Sequence, residues 1–81
     1  MQRYPIESSN LDSVGYDEVN KVLEISFISG GIYQYIDVEP QVYEGLLYAE
    51  SAGKYFHRNI KGQFAYKRVW VIQLMLGGIN D

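Results

Sequence analysis

The chain has no cysteine, only two prolines and a single histidine, and no long apolar run interrupts its 81 residues. Without thiols there can be no disulfide, no thiol nucleophile and no cysteine-ligated metal. The one histidine, His57, has no second imidazole to share a metal shell, and Lys54, Arg58 and Lys61 around it repel a divalent cation. Neither metal nor cofactor is therefore expected. The apolar stretches 69–72 and 74–76 fall well short of the ~18–20 residues that span a bilayer, and Met1-Gln2-Arg3-Tyr4-Pro5 lacks the apolar core of a secretory signal. A cytoplasmic protein with no membrane partner is expected.

Catalytic signatures are missing as well. No phosphate loop, dinucleotide fingerprint or nucleophile elbow occurs. Ser51-Ala52-Gly53-Lys54 matches the S-x-x-K pattern of serine acyl-transfer enzymes, but the partner motifs of that chemistry are absent. Asp17, Glu18 and Glu39 read as turn carboxylates in water, whereas acid-base work needs a pair converging on a pocket. The expectation is a protein that binds a partner and is no enzyme.

What is present fits one small folded domain over residues 1–81. Hydrophobic residues make up 47% and charged residues 21%, the balance of a globular chain and not of a disordered tail. Eight tyrosines are unusual in a chain this short; each offers a flat apolar ring with a polar tip, suited to a wet binding surface. The net charge of −3 conceals a division. Residues 1–53 carry −7, residues 54–68 carry +5 through Lys54, Arg58, Lys61, Lys67 and Arg68, and Asp81 adds the last −1. A local basic block on an acidic body suits a confined anion better than indiscriminate polyanion binding.

Strand signals open the chain: a segment at 3–7, then 12–16 after the turn-prone Ser8-Ser9-Asn10. In Lys21-Val22-Leu23-Glu24-Ile25-Ser26-Phe27-Ile28 the apolar residues alternate with Glu24 and Ser26, the period-2 signature of a half-buried strand. Ser29-Gly30-Gly31 leads into Ile32-Tyr33-Gln34-Tyr35-Ile36, a hairpin signal because both glycines tolerate positive φ. A two-residue turn at Gly30-Gly31 is expected. It pairs Ile28 with Tyr33 and Ser26 with Tyr35, and so sets both tyrosines on the Glu24 face, away from Leu23, Ile25 and Phe27. The alternative, a three-residue loop pairing Phe27 with Tyr33, places them in the core.

Pro40 suits the first position of a helix in which Val42, Tyr43, Leu46 and Leu47 form an apolar stripe, despite Gly45, which costs ~1 kcal/mol against alanine. A second helix is expected from Ser51 as N-cap through Tyr55 and Phe56 towards Ile60, closed near Gly62. A last strand covers 64–72. The fold class is α+β: an antiparallel sheet of three or four strands in the order β-β-β-α-α-β, packed against two short helices.

Two clusters invite a function. Lys54, Arg58 and Lys61 at i, i+4 and i+7 share one helical face near Lys67 and Arg68, where like charges cost stability. They read as an anion site, or else as a solvated face paired with the acidic first half. Tyr33 and Tyr35 read as a stacking platform for bases, or else as ordinary strand packing. The candidate ligand-binding residues are Tyr33, Tyr35, Lys54, Tyr55, Arg58, Asn59, Lys61, Tyr66 and Arg68. Trp70, Ile72, Leu74 and Leu76 either complete the core or form an interface, with a protein partner or a second copy of the chain.

These stretches resemble the KTSC domain, a family named for its place at the C-terminus of some lysyl-tRNA synthetases and found as a stand-alone protein in bacteria and phages. The resemblance runs from about Ile6 to Val69 through Ser8-Ser9-Asn10, Ser13-Val14-Gly15-Tyr16-Asp17, Ser29 to Tyr35 with its central Tyr-x-Tyr, Val42-Tyr43, Gly53-Lys54-Tyr55-Phe56, Arg58-Asn59-Ile60 and Tyr66-Lys67-Arg68-Val69. Residues 70–81 form an apolar extension beyond it, and His57 stands where the family pattern more often has asparagine. The resemblance implies RNA binding, suggested for the family by its synthetase context. The residues themselves point the same way, to RNA or a nucleotide held by the Tyr-x-Tyr strand and the basic cluster. Two other roles fit: sequestration of a small phosphorylated nucleotide, as a phage anti-defence protein would perform, and a protein-interaction or homo-oligomer module built on the C-terminal tail.

Overall fold

The computed structural model describes residues 1–70. Five strands and two helices follow one another as β1 (Tyr4–Pro5), β2 (Leu11–Asp17), β3 (Val22–Phe27), β4 (Ile32–Tyr35), α1 (Pro40–Tyr48), α2 (Ala52–Asn59) and β5 (Tyr66–Val69). The strands form one antiparallel sheet in the order β1-β2-β3-β4-β5. The α+β class holds, with one strand more than expected. The extra strand is the two-residue β1 at the edge, which lies inside the 3–7 strand signal but outside the expected strand count.

The helices cover the sheet face that carries Leu23, Ile25 and Tyr35. Val14 stands opposite Ile25 and Tyr16 opposite Leu23, and Leu46 of α1, Phe56 of α2 and Ile60 complete a core that also takes in Leu11 and Val38. Tyr16 ties α1 down, stacking on Tyr43 at 5.0 Å and donating its hydroxyl proton to the Val38 carbonyl. The other face is polar yet closed at one point. Glu24 is 2% exposed and accepts hydrogen bonds from Arg3 Nη1 at 2.6 Å and Gln34 Nε2 at 2.8 Å. Arg3 also donates from Nε to Ser13 Oγ at 3.1 Å.

Both helices start where capping chemistry predicts. Pro40 occupies the first turn of α1, and the Ser51 hydroxyl accepts from the Lys54 N–H at the start of α2. Gly45 has its reason in packing: the Tyr55 phenol of α2 lies where a β-carbon on Gly45 would stand. Helix α2 ends with Ile60 and Lys61 N–H both donating to the Phe56 carbonyl, and the chain reverses through Gly62 at φ 78°.

The β3–β4 hairpin departs from the expected two-residue turn. The Phe27 N–H donates to the Gly31 carbonyl at 3.0 Å and the Gly30 N–H to the Phe27 carbonyl at 2.9 Å, so Ile28, Ser29 and Gly30 form a three-residue loop. Gly30 and Gly31 have φ of 105° and 98°, values that an L side chain rarely adopts. Ile25 consequently faces Tyr33 and Leu23 faces Tyr35; the three-residue loop and the core placement of the tyrosines are those of the alternative reading, while the pairing lies two residues from its Phe27–Tyr33 pair. The tyrosines lie on the helix-covered face, and Gln34 takes the place beside Glu24. Burial decides the register: a one-residue slip would expel Tyr33 and Tyr35 and bury Gln34 among Leu23, Ile25 and Phe56.

Candidate functional site

The apolar face does not close completely. At the end of the sheet next to the β3–β4 hairpin, a cleft of about 870 Å³ opens between the strands and α2, within the ~300–1,000 Å³ typical of small-molecule sites. Its base is aromatic: Phe27 from β3, Tyr33 and Tyr35 from β4, Tyr66 from β5 and Phe56 from α2. These rings hold one another. Phe27 meets Tyr33 edge-on at 5.7 Å and Phe56 at 5.3 Å, while Tyr35 contacts Phe56 at 5.8 Å and Tyr66 at 5.7 Å. Tyr33 and Tyr66 lie 5.9 Å apart. Edge-to-face packing of this kind fixes ring orientation beyond what burial alone does.

Backbone segments close the sides. Ile28, Ser29 and Gly30 of the hairpin loop form one wall, and Ser9, Asn10 and Leu11 at the entry to β2 form another. The first turn of α2 approaches that second wall closely: a β-carbon on Gly53 would sit 2.9 Å from Asn10 Nδ2. His57, which meets Phe56 edge-on at 5.7 Å, and the turn Lys61-Gly62 complete the rim. Among the described residues no aspartate or glutamate lines the cleft, although the chain carries ten. Its polar groups are the hydroxyls of Ser9, Ser29 and three tyrosines, the Asn10 amide, the His57 imidazole and the Lys61 ammonium, all of which can donate a hydrogen bond.

Of the residues singled out in the sequence, Tyr33, Tyr35, Tyr66 and Lys61 come together in this cleft. Tyr35 is the most enclosed, and burial, with smaller contributions from the Tyr33 and Tyr66 phenols, pushes its pKa up from 10.0 to about 12. Arg68 stands opposite Tyr33 in the β4–β5 ladder but flanks the site; its guanidinium lies 3.9 Å from the Trp70 ring centroid and 5.9 Å from that of Tyr33. Lys54, Tyr55, Arg58 and Asn59 lie elsewhere. Tyr55 packs on Gly45 between the helices, Asn59 donates back to the Tyr55 carbonyl within α2, and Lys54 and Arg58 are exposed outside the cleft. Lys61 parts from them because α2 stops at Asn59, so the i+7 position of the expected basic face falls in the following turn. Pairing with the acidic half does not occur among the described residues, whose ion pairs are Arg3–Glu24 and Lys21–Glu39. Trp70 is half-exposed, and Ile72, Leu74 and Leu76 lie outside the described residues.

Sequence reasoning did not name Ser9, Asn10, Phe27, Gly53, Phe56 or His57 as part of the site. Only the Gly53 approach had a signal in the chain, a glycine in the first turn of a helix, where it costs stability without packing to justify it.

Three comparisons bear on identity. The KTSC domain family model matches residues 7–64. The chain belongs to the KTSC domain family. An uncharacterised protein from Stutzerimonas stutzeri is 42% identical over 72 residues, covering 89% of this chain and 99% of that protein. The crystal structure of a KTSC domain protein from Yersinia pestis superposes with a TM-score of 0.84 at 39% identity, over 85% of this chain and 97% of that one. A lysine–tRNA ligase from a Nostoc species is 41% identical over 63 residues, which are 78% of this chain but 11% of the ligase. The KTSC domain is thus shared by stand-alone chains of this size and by a small part of a much larger enzyme. In this member, no helix among the described residues is long and apolar enough to cross a membrane.

Proposed function

We propose that this KTSC protein is a non-enzymatic binding module whose cleft takes one nucleotide unit, free or at the end of a single-stranded RNA, with the base among the rings and the phosphate at Lys61. The observation that carries the reading is the cleft's composition: rings on its base, hydrogen-bond donors around its rim, and no carboxylate among its described lining residues in a protein of net charge −3. Aromatic rings accept any base by its π-face, at ~1–3 kcal/mol per stacked base, and a rim of donors with one ammonium suits phosphate oxygens. The cleft's volume suits a ligand of nucleotide size.

A long RNA fits less well. Only Lys61 among the five cations of 54–68 lines the cleft, so few phosphates would be neutralised there, and the dependence of affinity on salt should be shallow. The relation to a segment of lysine–tRNA ligases supports a nucleic-acid context without deciding how much of the chain is held.

The test is equilibrium titration with the four ribonucleoside 5′-monophosphates and with tetraribonucleotides. Tyr66→Ala, at an exposed ring, should weaken binding by about 1–3 kcal/mol, and Lys61→Ala should weaken nucleotides while sparing nucleosides. If neither set of ligands binds the wild-type protein, the proposal is wrong.

A further inference from the structure

Three phenols line the cleft, and they differ in what their hydroxyls need. Tyr66 is 61% exposed and Tyr33 is half-buried, so water can satisfy both. Tyr35 is only 5% exposed. Its contacts with Phe56 and Tyr66 are ring contacts that phenylalanine would make equally well. Its hydroxyl has no hydrogen-bond partner among the described residues, yet the oxygen is not sealed inside the protein. Tyr35 is part of the cleft's lining. The fold therefore holds, in the wall of the site, a nearly buried polar group for which the packing has no use.

We infer that the Tyr35 hydroxyl is a specificity-determining group, donating a hydrogen bond to an acceptor on the base of a nucleotide bound in the cleft. The inference rests on the nucleotide reading and deepens it by dividing the cleft in two. Tyr35 and Phe56 make the enclosed end, both at least nine-tenths buried, while Lys61 and His57 are exposed at the rim. A phosphate stays at the rim with its cation and its water, and the apolar face of a base enters the enclosed end, where its polar edge meets Tyr35. A buried donor of this kind discriminates strongly, because a base without a matching acceptor leaves it unpaired. The phenol keeps its proton throughout the neutral range, since burial raises its pKa to about 12, and so stays a donor.

The test is calorimetric titration of wild type and Tyr35→Phe with the four ribonucleoside 5′-monophosphates and the four nucleosides, alongside melting curves. Tyr35→Phe should melt no lower than wild type. It should bind the preferred nucleotide about 5- to 20-fold more weakly, as expected for one lost hydrogen bond, with the same factor for the corresponding nucleoside and a smaller spread between bases. Lys61→Ala should show the converse, losing the advantage of monophosphate over nucleoside and keeping the base preference. If Tyr35→Phe binds all eight compounds as wild type does, the inference fails and the nucleotide reading stands. If wild type binds none of them the inference fails, and if it binds no tetraribonucleotide either, the nucleotide reading fails with it. A lowered melting temperature in Tyr35→Phe would give the hydroxyl a structural duty and overturn the inference.

Discussion

Glu24 shows how a single residue anchors the N-terminal strand. A carboxylate 2% exposed is costly to desolvate, and here the cost is offset by two short hydrogen bonds, from Arg3 and Gln34. Arg3 comes from the segment leading into β1, so the ion pair fastens a two-residue strand that would otherwise have little to hold it. The backbone fits closely here too: a β-carbon on Gly15 would strike the Gln2 carbonyl oxygen. Arg3→Ala leaves Glu24 buried and short of its cation, and should destabilise the fold by about 3 kcal/mol. Urea unfolding would measure it, and a change under 1 kcal/mol would show that Glu24 finds water once Arg3 is gone.

At the scale of elements, α2 presents different chemistry on different sides. Ala52, Gly53, Phe56 and Ile60 are buried, Gly53, Phe56 and His57 line the cleft, and Lys54 and Arg58 point to solvent away from it. The double variant Lys54→Ala, Arg58→Ala should therefore leave mononucleotide affinity within about twofold of wild type. A longer strand whose phosphates track the outer side of α2 would lose affinity and salt dependence in the same variant, so the comparison separates the proposed single-nucleotide site from binding along a strand.

Much of this level was legible in the chain. Alternation in Leu23, Ile25 and Phe27, Pro40 at a helix start, Ser51 as an N-cap and Gly62 as a helix stop are local signals, and each element formed where its signal lay. The hairpin register was not legible. Gly30-Gly31 accommodates positive φ in loops of either length, and the choice is made by burying Tyr35 against Phe56, a contact across 21 residues of sequence. The cleft was half legible for the same reason. Tyr33, Tyr35, Tyr66 and Lys61 stand out by residue type, whereas Ser9, Asn10, Phe27 and Phe56 are ordinary residues until the fold brings four segments together. The helical spacing of Lys54, Arg58 and Lys61 misled because periodicity does not say where a helix ends.

For the molecule as a whole, the buried phenols set an alkaline limit. Burial raises the pKa of Tyr35 to about 12 and also raises those of Tyr16 and Tyr43. In each case the folded protein keeps a proton that the unfolded chain releases near pH 10, so the unfolded state binds fewer protons and stability falls as pH rises. The stabilising contribution is complete below pH 10 and lost progressively towards pH 12. Melting temperatures between pH 9 and 11.5 should fall, and should fall less steeply in Tyr35→Phe; equal slopes would mean that Tyr35 ionises as freely when folded as when unfolded.

Charge is distributed on the same scale. Among the described residues, the acidic body keeps its carboxylates out of the cleft and sets the Lys61 ammonium at its rim. The central claim is that a nucleotide unit occupies this space. It is tested most directly by recording amide spectra of the isotopically labelled protein during titration with the four ribonucleoside 5′-monophosphates. The account predicts saturable shifts concentrated at Asn10, Gly30, Tyr33, Tyr35, Gly53, Lys61, Gly62 and Tyr66. Spectra that do not move, or shifts centred on Lys54, Arg58 or Trp70 with these amides unchanged, would contradict it.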